Sequence, residues 1–185
     1  VGGAGGYRHY FRHQQRPDLN MPCAIVLGGP PCVAFVAPQK LPVDIDEIGV
    51  AGGLAGAPIN VVRGRTVDLM IPAEAEIVIE GYLDTVNLEP EGPFGESHGH
   101  VNLQEFNAFM DVTAITRRKD AILTSIISQV TPSESSLIKL IGMEPLFLNF
   151  LRNTLGIKGI KRVSMPDALT NIRKVIALVC ERDMQ

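Results

Sequence analysis

The densest group of chemically capable side chains lies in the run EGPFGESHGH, between Glu91 and His100. Its two carboxylates, Glu91 and Glu96, flank a proline and two glycines, so they cannot share one face of a regular helix and we expect them on a constrained loop. Carboxylates held close together push their pKa values apart, which lets one of them keep a proton near neutral pH. The run is therefore interpreted either as an acid–base pair or as an acidic turn whose glycines serve only the backbone.

Other acidic and imidazole side chains have types that suit metal ions. His98 and His100 alternate, so on a strand both would point to the same face, and the alternative for each is an ordinary surface position. Carboxylate oxygens suit Mg²⁺, Mn²⁺ or Ca²⁺, although no EF-hand spacing is present. The acidic residues concerned are Asp44, Asp46 and Glu47 in one cluster, and Glu74, Glu76 and Glu80 in a second segment.

Short apolar segments must position these side chains in the first half of the chain. The 18 glycines and 13 prolines divide it into pieces rich in valine and isoleucine, which is the pattern of strands. The predicted strands are residues 23–27, 32–36, 59–62, 69–71, 76–79 and 112–116. We also expect a hairpin between residues 113 and 123 with a polar tip at residues 117–120. The glycine content of residues 48–54 permits only a short helix there.

The pattern becomes helical after residue 132. Ser133 is the predicted N-cap of a helix that Pro145 ends or kinks, and a second helix would then run to Gly156 at its C′ position. Residues 160–164 and 175–180 read as strands without partners. The fold class is thus α+β, a strand-rich barrel or sandwich followed by a helical connector and the start of an α/β unit. We expect a piece of a longer protein.

Composition excludes several functional classes. The 185 residues carry 17 Lys and Arg against 20 Asp and Glu, a net charge of -3, and no long basic run, so no nucleic-acid partner is expected. Cys23, Cys32 and Cys180 have neither disulfide nor zinc spacing and suit a reducing compartment. The longest apolar stretch, residues 24–37, is too short and too interrupted to be a transmembrane segment, and no signal peptide precedes it. The sequence predicts a soluble, cytoplasmic protein.

Four blocks of sequence, in their order and spacing, resemble the UbiD family of reversible decarboxylases. They are PCAIVLGGPP at residues 22–31, LPVDIDE at 41–47, DLMIPAEAEIVIEG at 68–81 and EGPFGESHG at 91–99. The resemblance covers residues 22 to 130 and extends more loosely to the end of the chain. It favours the catalytic interpretation of the EGPFGESHG block over the acidic turn.

The resemblance implies a lyase that uses prenylated FMN, with Mn²⁺ or another divalent cation and K⁺ beside the flavin phosphate. Residues 1–21 would end an N-terminal segment, residues 22–130 would form a flavin-binding split β-barrel of short, mainly antiparallel strands, and residues 131–185 would be linker helices and the beginning of a C-terminal α/β domain. The implied substrates are aromatic, heteroaromatic or α,β-unsaturated carboxylic acids, including 3-polyprenyl-4-hydroxybenzoate. A flavin prenyltransferase would supply the cofactor, and a homo-oligomer, dimer or hexamer, is expected.

The resemblance also assigns roles to individual residues. Glu91 and Glu96 are similar to the two acidic members of the family's Glu-Arg-Glu network, with Glu96 as the acid that returns a proton after CO₂ leaves. Glu47 matches the metal-binding glutamate. His9 is the candidate for the metal's histidine, and His13 is the alternative.

The flavin-lining loop of the family matches Ala37, Pro38 and Gln39. The network's arginine and the metal's asparagine belong to a segment that precedes the matched blocks, and Arg8 and Arg12 are only local candidates for that arginine. The resemblance therefore implies that this chain alone is inactive. Two other interpretations are a non-catalytic flavin-type barrel that serves as a binding or assembly module, and a flavin reductase barrel, which would have no use for the EGPFGESHG loop.

Overall fold

The computed structural model describes residues 6–16, 20–39, 41, 45–95, 99–103, 105–166 and 176–181. The chain divides into two compact units. The first unit comprises Val1–Gly92 and Gln104–Ser125, and the second comprises Pro93–Leu103 and Ile126–Gln185. The described helices are α1 (Gly6–Gln14), α2 (Pro31–Val36), α3 (Glu47–Ala55) and α4 (Glu134–Asn149), and a π-helical turn covers Phe150–Thr154. The described strands are β1 (Met21–Leu27), β2 (Val61–Arg63), β3 (Met70–Pro72), β4 (Ile77–Leu83), β5 (Glu89–Glu91), β6 (Phe94–Gly95), β7 (Val101–Asn102), β8 (Glu105–Asn107), β9 (Met110–Arg117), β10 (Ile160–Ser164) and β11 (Ala177–Cys180).

Strand β4 is the centre of the first unit. It pairs antiparallel with β1 on one side and with β9 on the other, so the order is β1-β4-β9. Val78 of β4 packs with the buried Ile71 and Ala75, and partly buried side chains of β1 complete this core. Pro22 is tolerated in β1 because an edge strand needs hydrogen bonds on one side only. Helices and short antiparallel strands together confirm the α+β class.

A bulge interrupts the ladder between β4 and β9. Glu80 lies opposite Ala114 and Gly81 lies opposite Val112, so Thr113 is the extra residue. A Cβ atom on Gly81 would lie 2.1 Å from the carbonyl oxygen of Asp111, which only glycine avoids. The long ladder with β4 also explains why the hairpin predicted for residues 113–123 is wrong. Strand β9 takes β4 as its partner, and residues 121–123 form no strand.

The strand predicted at residues 32–36 is wrong, because this segment forms helix α2. Gly28 and Gly29, with φ of 71° and 135°, turn the chain out of β1. Pro31 then occupies the first turn of the helix, where its fixed φ and missing N–H cost nothing. Helix α2 packs against α3, and the side chains of Val36 and Ala51 are buried. An apolar run of this length fits a buried helix and a strand equally well.

Helix α3 is the short helix expected at residues 48–54, with one further residue at each end. Asp46 caps it by accepting hydrogen bonds from the backbone N–H groups of Ile48 and Gly49 at 3.2 and 3.1 Å. Gly56 ends it in the left-handed conformation, with φ of 70°. The two caps and the buried face offset the cost of the glycines inside the helix.

The second unit confirms Ser133 as an N-cap. Its hydroxyl accepts from the N–H of Ser136 at 3.3 Å, and the Ser136 hydroxyl accepts from the N–H of Ser133 at 2.9 Å, which completes a capping box. Pro145 lies inside α4 without ending it, so the separate second helix is replaced by the π-helical turn. Gly156 has a φ of 68°, as expected after a helix end.

Strands β10 and β11 pair with each other in antiparallel register, so the expectation that they lack partners is wrong. Burial of Ile160 and Val163 on one strand gives the ladder an apolar face. Among the described residues, no helix combines the length and the apolar character needed to cross a membrane.

Candidate functional site

The packed pair of helices α2 and α3 carries two of the predicted site elements. Ala37, Pro38 and Gln39 directly follow α2, and Glu47 is the first residue of α3. The turn after α2 is tight, because the N–H of Gln39 donates to the carbonyl oxygen of Val36 at 2.8 Å. One helix-helix contact therefore fixes both the predicted cofactor loop and the helix that begins with the predicted metal ligand.

Gln39 has a buried acceptor without a donor. Its Nε2 donates to the carbonyl oxygen of Phe35 at 3.2 Å, whereas its Oε1 is buried and has no hydrogen-bond partner among the described residues. An unsatisfied buried polar atom costs roughly 1–3 kcal/mol, so such atoms commonly have a ligand or water as partner. A ligand with an N–H or O–H donor would satisfy this acceptor, so the donors and acceptors of this loop do not conflict with the predicted cofactor.

Glu47 is exposed on the first turn of α3. Its neighbour Asp46 provides the cap, so the carboxylate of Glu47 has no capping task of its own. His9 is exposed on α1, and its carbonyl oxygen accepts from Nδ1 of His13 at 2.8 Å. In the described part of the chain, no group of three or more His, Cys, Asp or Glu side chains comes together as a metal site. Both predicted ligands stay predictions.

Glu91 ends β5 and is exposed. It lies directly opposite Glu105 of β8, and Glu91 Oε2 accepts from the amide of Asn107. Like charges directly opposite each other destabilise a ladder, and the amide of Asn107 offsets part of that cost by donating to one of the two carboxylates. Glu105 and Asn107 were missed in the sequence. Their spacing of two shows that they share a strand face, but only the register brings them to Glu91.

The second predicted catalytic acid, Glu96, lies outside the described residues, as does His98. The chain on either side of residues 96–98 belongs to a strand pair, in which Gly95 of β6 lies opposite Val101 of β7. Gly99 has a φ of 92°, a conformation that favours glycine. The catalytic assignment of Glu96 stays a prediction.

The acidic residues of the segment at 68–81 have protein donors. Glu76 accepts from the N–H of Ile122 at 3.1 Å and from the Arg118 guanidinium at 2.9 Å, and these two donors lower its pKa. Glu74 accepts from the amide of Asn60 at 2.8 Å. These contacts join distant parts of the first unit, whereas Oε2 of Glu74 is buried without a hydrogen-bond partner among the described residues.

Glu80 is the most deeply buried of these carboxylates, with an exposed fraction of 1%. Its Oε2 accepts from the N–H of Thr66 at 2.7 Å, the hydroxyl of Thr66 at 3.2 Å and the N–H of Val67 at 3.3 Å. Burial acts to raise the pKa of Glu80, but the backbone and hydroxyl donors outweigh it and the pKa is lowered. The ionised carboxylate therefore fastens the loop before β3 to strand β4.

Residues 1–130 match the model of a protein family described as UbiD, the 3-octaprenyl-4-hydroxybenzoate carboxy-lyase Rift-related domain. A protein of Aquifex aeolicus (strain VF5), described as uncharacterized, is 42% identical over 126 residues, which are 67% of this chain and 26% of that protein. This chain thus spans about a quarter of the length of that relative.

Solved structures of UbiD-class enzymes have the same fold. HmfF from Pelotomaculum thermopropionicum, in an evolved dimeric form with prFMN, is 25% identical with a TM-score of 0.81 over 92% of this chain and 39% of that one. HmfF with FMN is 27% identical, with a TM-score of 0.79 over 92% of this chain and 37% of that one. The closed form of vanillic acid decarboxylase from Sedimentibacter hydroxybenzoicus, 22% identical over 93% and 35% of the two chains, has a TM-score of 0.82.

Proposed function

The chain belongs to the UbiD family, and from this membership we propose that it supplies the flavin-binding part of a reversible carboxy-lyase. One observation supports the cofactor proposal: Oε1 of Gln39 is buried and has no hydrogen-bond partner among the described residues, in the loop that resembles the family's flavin-lining loop. The prFMN and FMN complexes of HmfF support the same cofactor. We propose prenylated FMN as the cofactor, with Ala37, Pro38 and Gln39 lining it.

The proposed substrate is an aromatic, heteroaromatic or α,β-unsaturated carboxylic acid, with 3-polyprenyl-4-hydroxybenzoate as one candidate. Loss of CO₂ from an sp² carbon leaves an electron pair without an adjacent acceptor, and prenylated FMN supplies that acceptor when it is bound. The protein then has to orient the substrate and deliver a proton to carbon.

Glu91 and Glu96 are the proposed acid–base pair. Glu91, at the end of β5, accepts from the amide of Asn107 and lies opposite Glu105 in the strand register. Proton delivery to carbon requires an acid that still carries its proton near neutral pH. Glu96 takes the role of proton donor in this proposal.

Mn²⁺, K⁺ and a homo-oligomer are also proposed, and these proposals rest on the family resemblance. Glu47 and His9 are the proposed ligands of the divalent cation, and both have exposed positions on helices of the first unit. Since the described residues assemble no complete ligand set, no chemical step is assigned to either ion. A flavin prenyltransferase as cofactor supplier, a homo-oligomer and a cytoplasmic location complete the proposal.

The test uses a longer protein that contains the whole of this chain, co-expressed with a flavin prenyltransferase. CO₂ release from a panel of aromatic and acrylic acids measures turnover, and the visible spectrum measures flavin content. We expect Glu96→Gln to lower turnover by about 10²–10⁴-fold while flavin is retained. Glu89→Gln, on the same strand as Glu91, is the matched control and should stay within about twofold, because Glu89 has no assigned role in proton delivery.

Two outcomes would contradict the proposal. Turnover of Glu96→Gln within about tenfold of the unmodified protein would remove Glu96 as the acid. Flavin binding without turnover of any acid in the panel would favour the binding or assembly module. We also expect the 185-residue chain alone to be inactive when it is given prenylated FMN, Mn²⁺ and K⁺.

A further inference from the structure

A cavity of about 240 Å³ lies in the first unit, between the β2–β3 ladder and the end of β9. None of the residues to which the proposed function gives a role in catalysis, cofactor binding or metal binding lines it. The side chains that line it include four arginines: Arg63, Arg65, Arg117 and Arg118. This concentration of positive charge is notable in a chain whose net charge is -3.

The four guanidinium groups differ in the hydrogen-bond and ion-pair partners that they have within the protein. Arg63 pairs with Asp68 at 2.7 Å, but the two side chains are 71% and 81% exposed, so solvent screens this ion pair. Arg118 pairs with Glu76 at 2.9 Å.

Arg117 has a different type of partner: within the described part of the chain it donates to backbone alone, to the carbonyl oxygens of Arg118 and Lys119 at 3.4 and 3.1 Å. These bonds orient its guanidinium and use one of its two terminal nitrogens, which leaves other N–H donors of the fork for a ligand. The side chain of Arg65 is exposed at the same cavity. A planar fork of this kind matches a carboxylate or a phosphate.

Another part of the lining is apolar. Ile71, Ala75 and Val78 are buried core residues that also face the cavity. The buried carboxylate of Glu80 accepts from the backbone N–H groups of Thr66 and Val67. These two residues follow Arg65, so the bonds hold the loop with Arg63 and Arg65 beside the apolar part of the lining. The tyrosine hydroxyl of β4 adds a further bond, from Tyr82 to the carbonyl oxygen of Thr66 at 3.0 Å.

We propose that this cavity is a second ligand site, independent of the carboxy-lyase proposal, for a small organic anion. The anionic head, a carboxylate or a phosphate monoester, contacts the guanidinium groups of Arg65 and Arg117, and an apolar body rests on Ile71 and Val78. The volume is below that of drug-sized pockets, so the body is about as large as a single ring. Glu80 also lines the site, and its Oε2 accepts from three protein donors.

The test measures binding of four probes to the 185-residue chain by isothermal titration calorimetry at low salt. Benzoate and phenyl phosphate carry the two heads on the same ring, inorganic phosphate has no apolar body, and benzyl alcohol has no charge. We expect one or both ring anions to bind saturably, and the tighter of the two identifies the head. Inorganic phosphate and benzyl alcohol should each bind at least about tenfold more weakly, and added salt should weaken the ring anions.

Ala73 provides a matched pair of variants, because it lines the cavity and is exposed. Ala73→Glu adds a negative charge at the rim and should weaken binding by about tenfold or more, whereas Ala73→Gln, of the same size, should change it less than about twofold. Arg65→Ala should also cost about tenfold. Arg162→Ala, an exposed arginine of the second unit, should have no effect. Circular dichroism checks that each variant is folded.

Several results would overturn the proposal. They are the absence of saturable binding by either ring anion, equal affinity for inorganic phosphate, and equal losses for Ala73→Glu and Ala73→Gln. A loss of affinity in Gln39→Ala as large as that in Arg65→Ala would also overturn it, because the anion would then occupy the predicted flavin loop. None of these results depends on turnover, so the carboxy-lyase proposal stands or fails separately.

Discussion

Replacing Glu80 by glutamine tests how much one buried carboxylate contributes to the first unit. Glu80→Gln keeps the shape of the side chain and removes its charge. The carboxylate accepts from two backbone N–H groups and from the Thr66 hydroxyl, at 2.7 to 3.3 Å. Thr66 of the same loop also bonds with Tyr82 and with the bulge residue Thr113.

The magnitude follows from the types of hydrogen bond. A bond to a charged acceptor contributes about 1.5–3 kcal/mol, against about 0.5–1.5 kcal/mol for a neutral one. The glutamine amide also brings an NH₂ group into a site where backbone N–H donors converge. We therefore expect Glu80→Gln to lower the free energy of unfolding by about 2–3 kcal/mol at pH 7, and the Tm by roughly 4–12 °C for a chain of this size.

The pH dependence gives a second readout with a definite sign. The pKa of Glu80 is lower in the folded than in the unfolded protein, so the unfolded state takes up a proton first as the pH falls. The stabilisation is complete above the unfolded pKa of about 4.3 and is lost as the pH falls through the lowered, folded pKa. The difference between the unmodified protein and Glu80→Gln should therefore be largest at neutral pH and shrink below about pH 4.

Urea unfolding followed by circular dichroism at pH 7 and at lower pH values measures both effects. Glu89→Gln is the control, since Glu89 is exposed on β5, and it should change stability by less than about 0.5 kcal/mol. The reasoning is refuted if Glu80→Gln is as stable as the unmodified chain within about 0.5 kcal/mol, or if the two proteins keep a constant difference down to low pH.

Three further expectations concern the bulge, a helix cap and the metal. Gly81→Ala should lower the free energy of unfolding by more than about 3 kcal/mol, because the new Cβ would lie 2.1 Å from a backbone oxygen. Gly53→Ala, at an open position on α3, should raise it by about 0.5–1 kcal/mol. Thermal unfolding compares the two variants, and equal effects would contradict the packing argument. Ser133→Ala should cost about 1 kcal/mol in urea unfolding, since it removes the cap of α4, and an unchanged midpoint would mean that the cap is not needed. Glu47→Ala should lower both manganese and flavin content in a longer protein that contains this chain, measured by elemental analysis and absorbance, and unchanged contents would make Glu47 an ordinary surface acid.

The sequence by itself determined those features that depend on neighbouring residues. The short pieces rich in valine, isoleucine and other apolar residues mark parts of β1, β4 and β9, and Ser133 is recognisable as a cap from its position before a helical pattern. The four blocks identified the family, because their order and spacing do not require knowledge of the fold. The apolar run that forms α2 shows where prediction from local sequence fails. Its length fits a strand or a buried helix, and only the packing against α3 decides between them.

The tertiary structure decided which distant residues meet. Strand register places Glu105 and Asn107 at Glu91, and it brings Arg117 to the cavity beside Arg65, some fifty residues earlier in the chain. It also buries Glu80 against the loop of Thr66, a contact that turned a candidate metal ligand into a structural carboxylate. Local patterns reflect the conformational preferences of a few consecutive residues, whereas register and burial follow from hydrogen bonds and apolar contacts that form only when the whole sheet does.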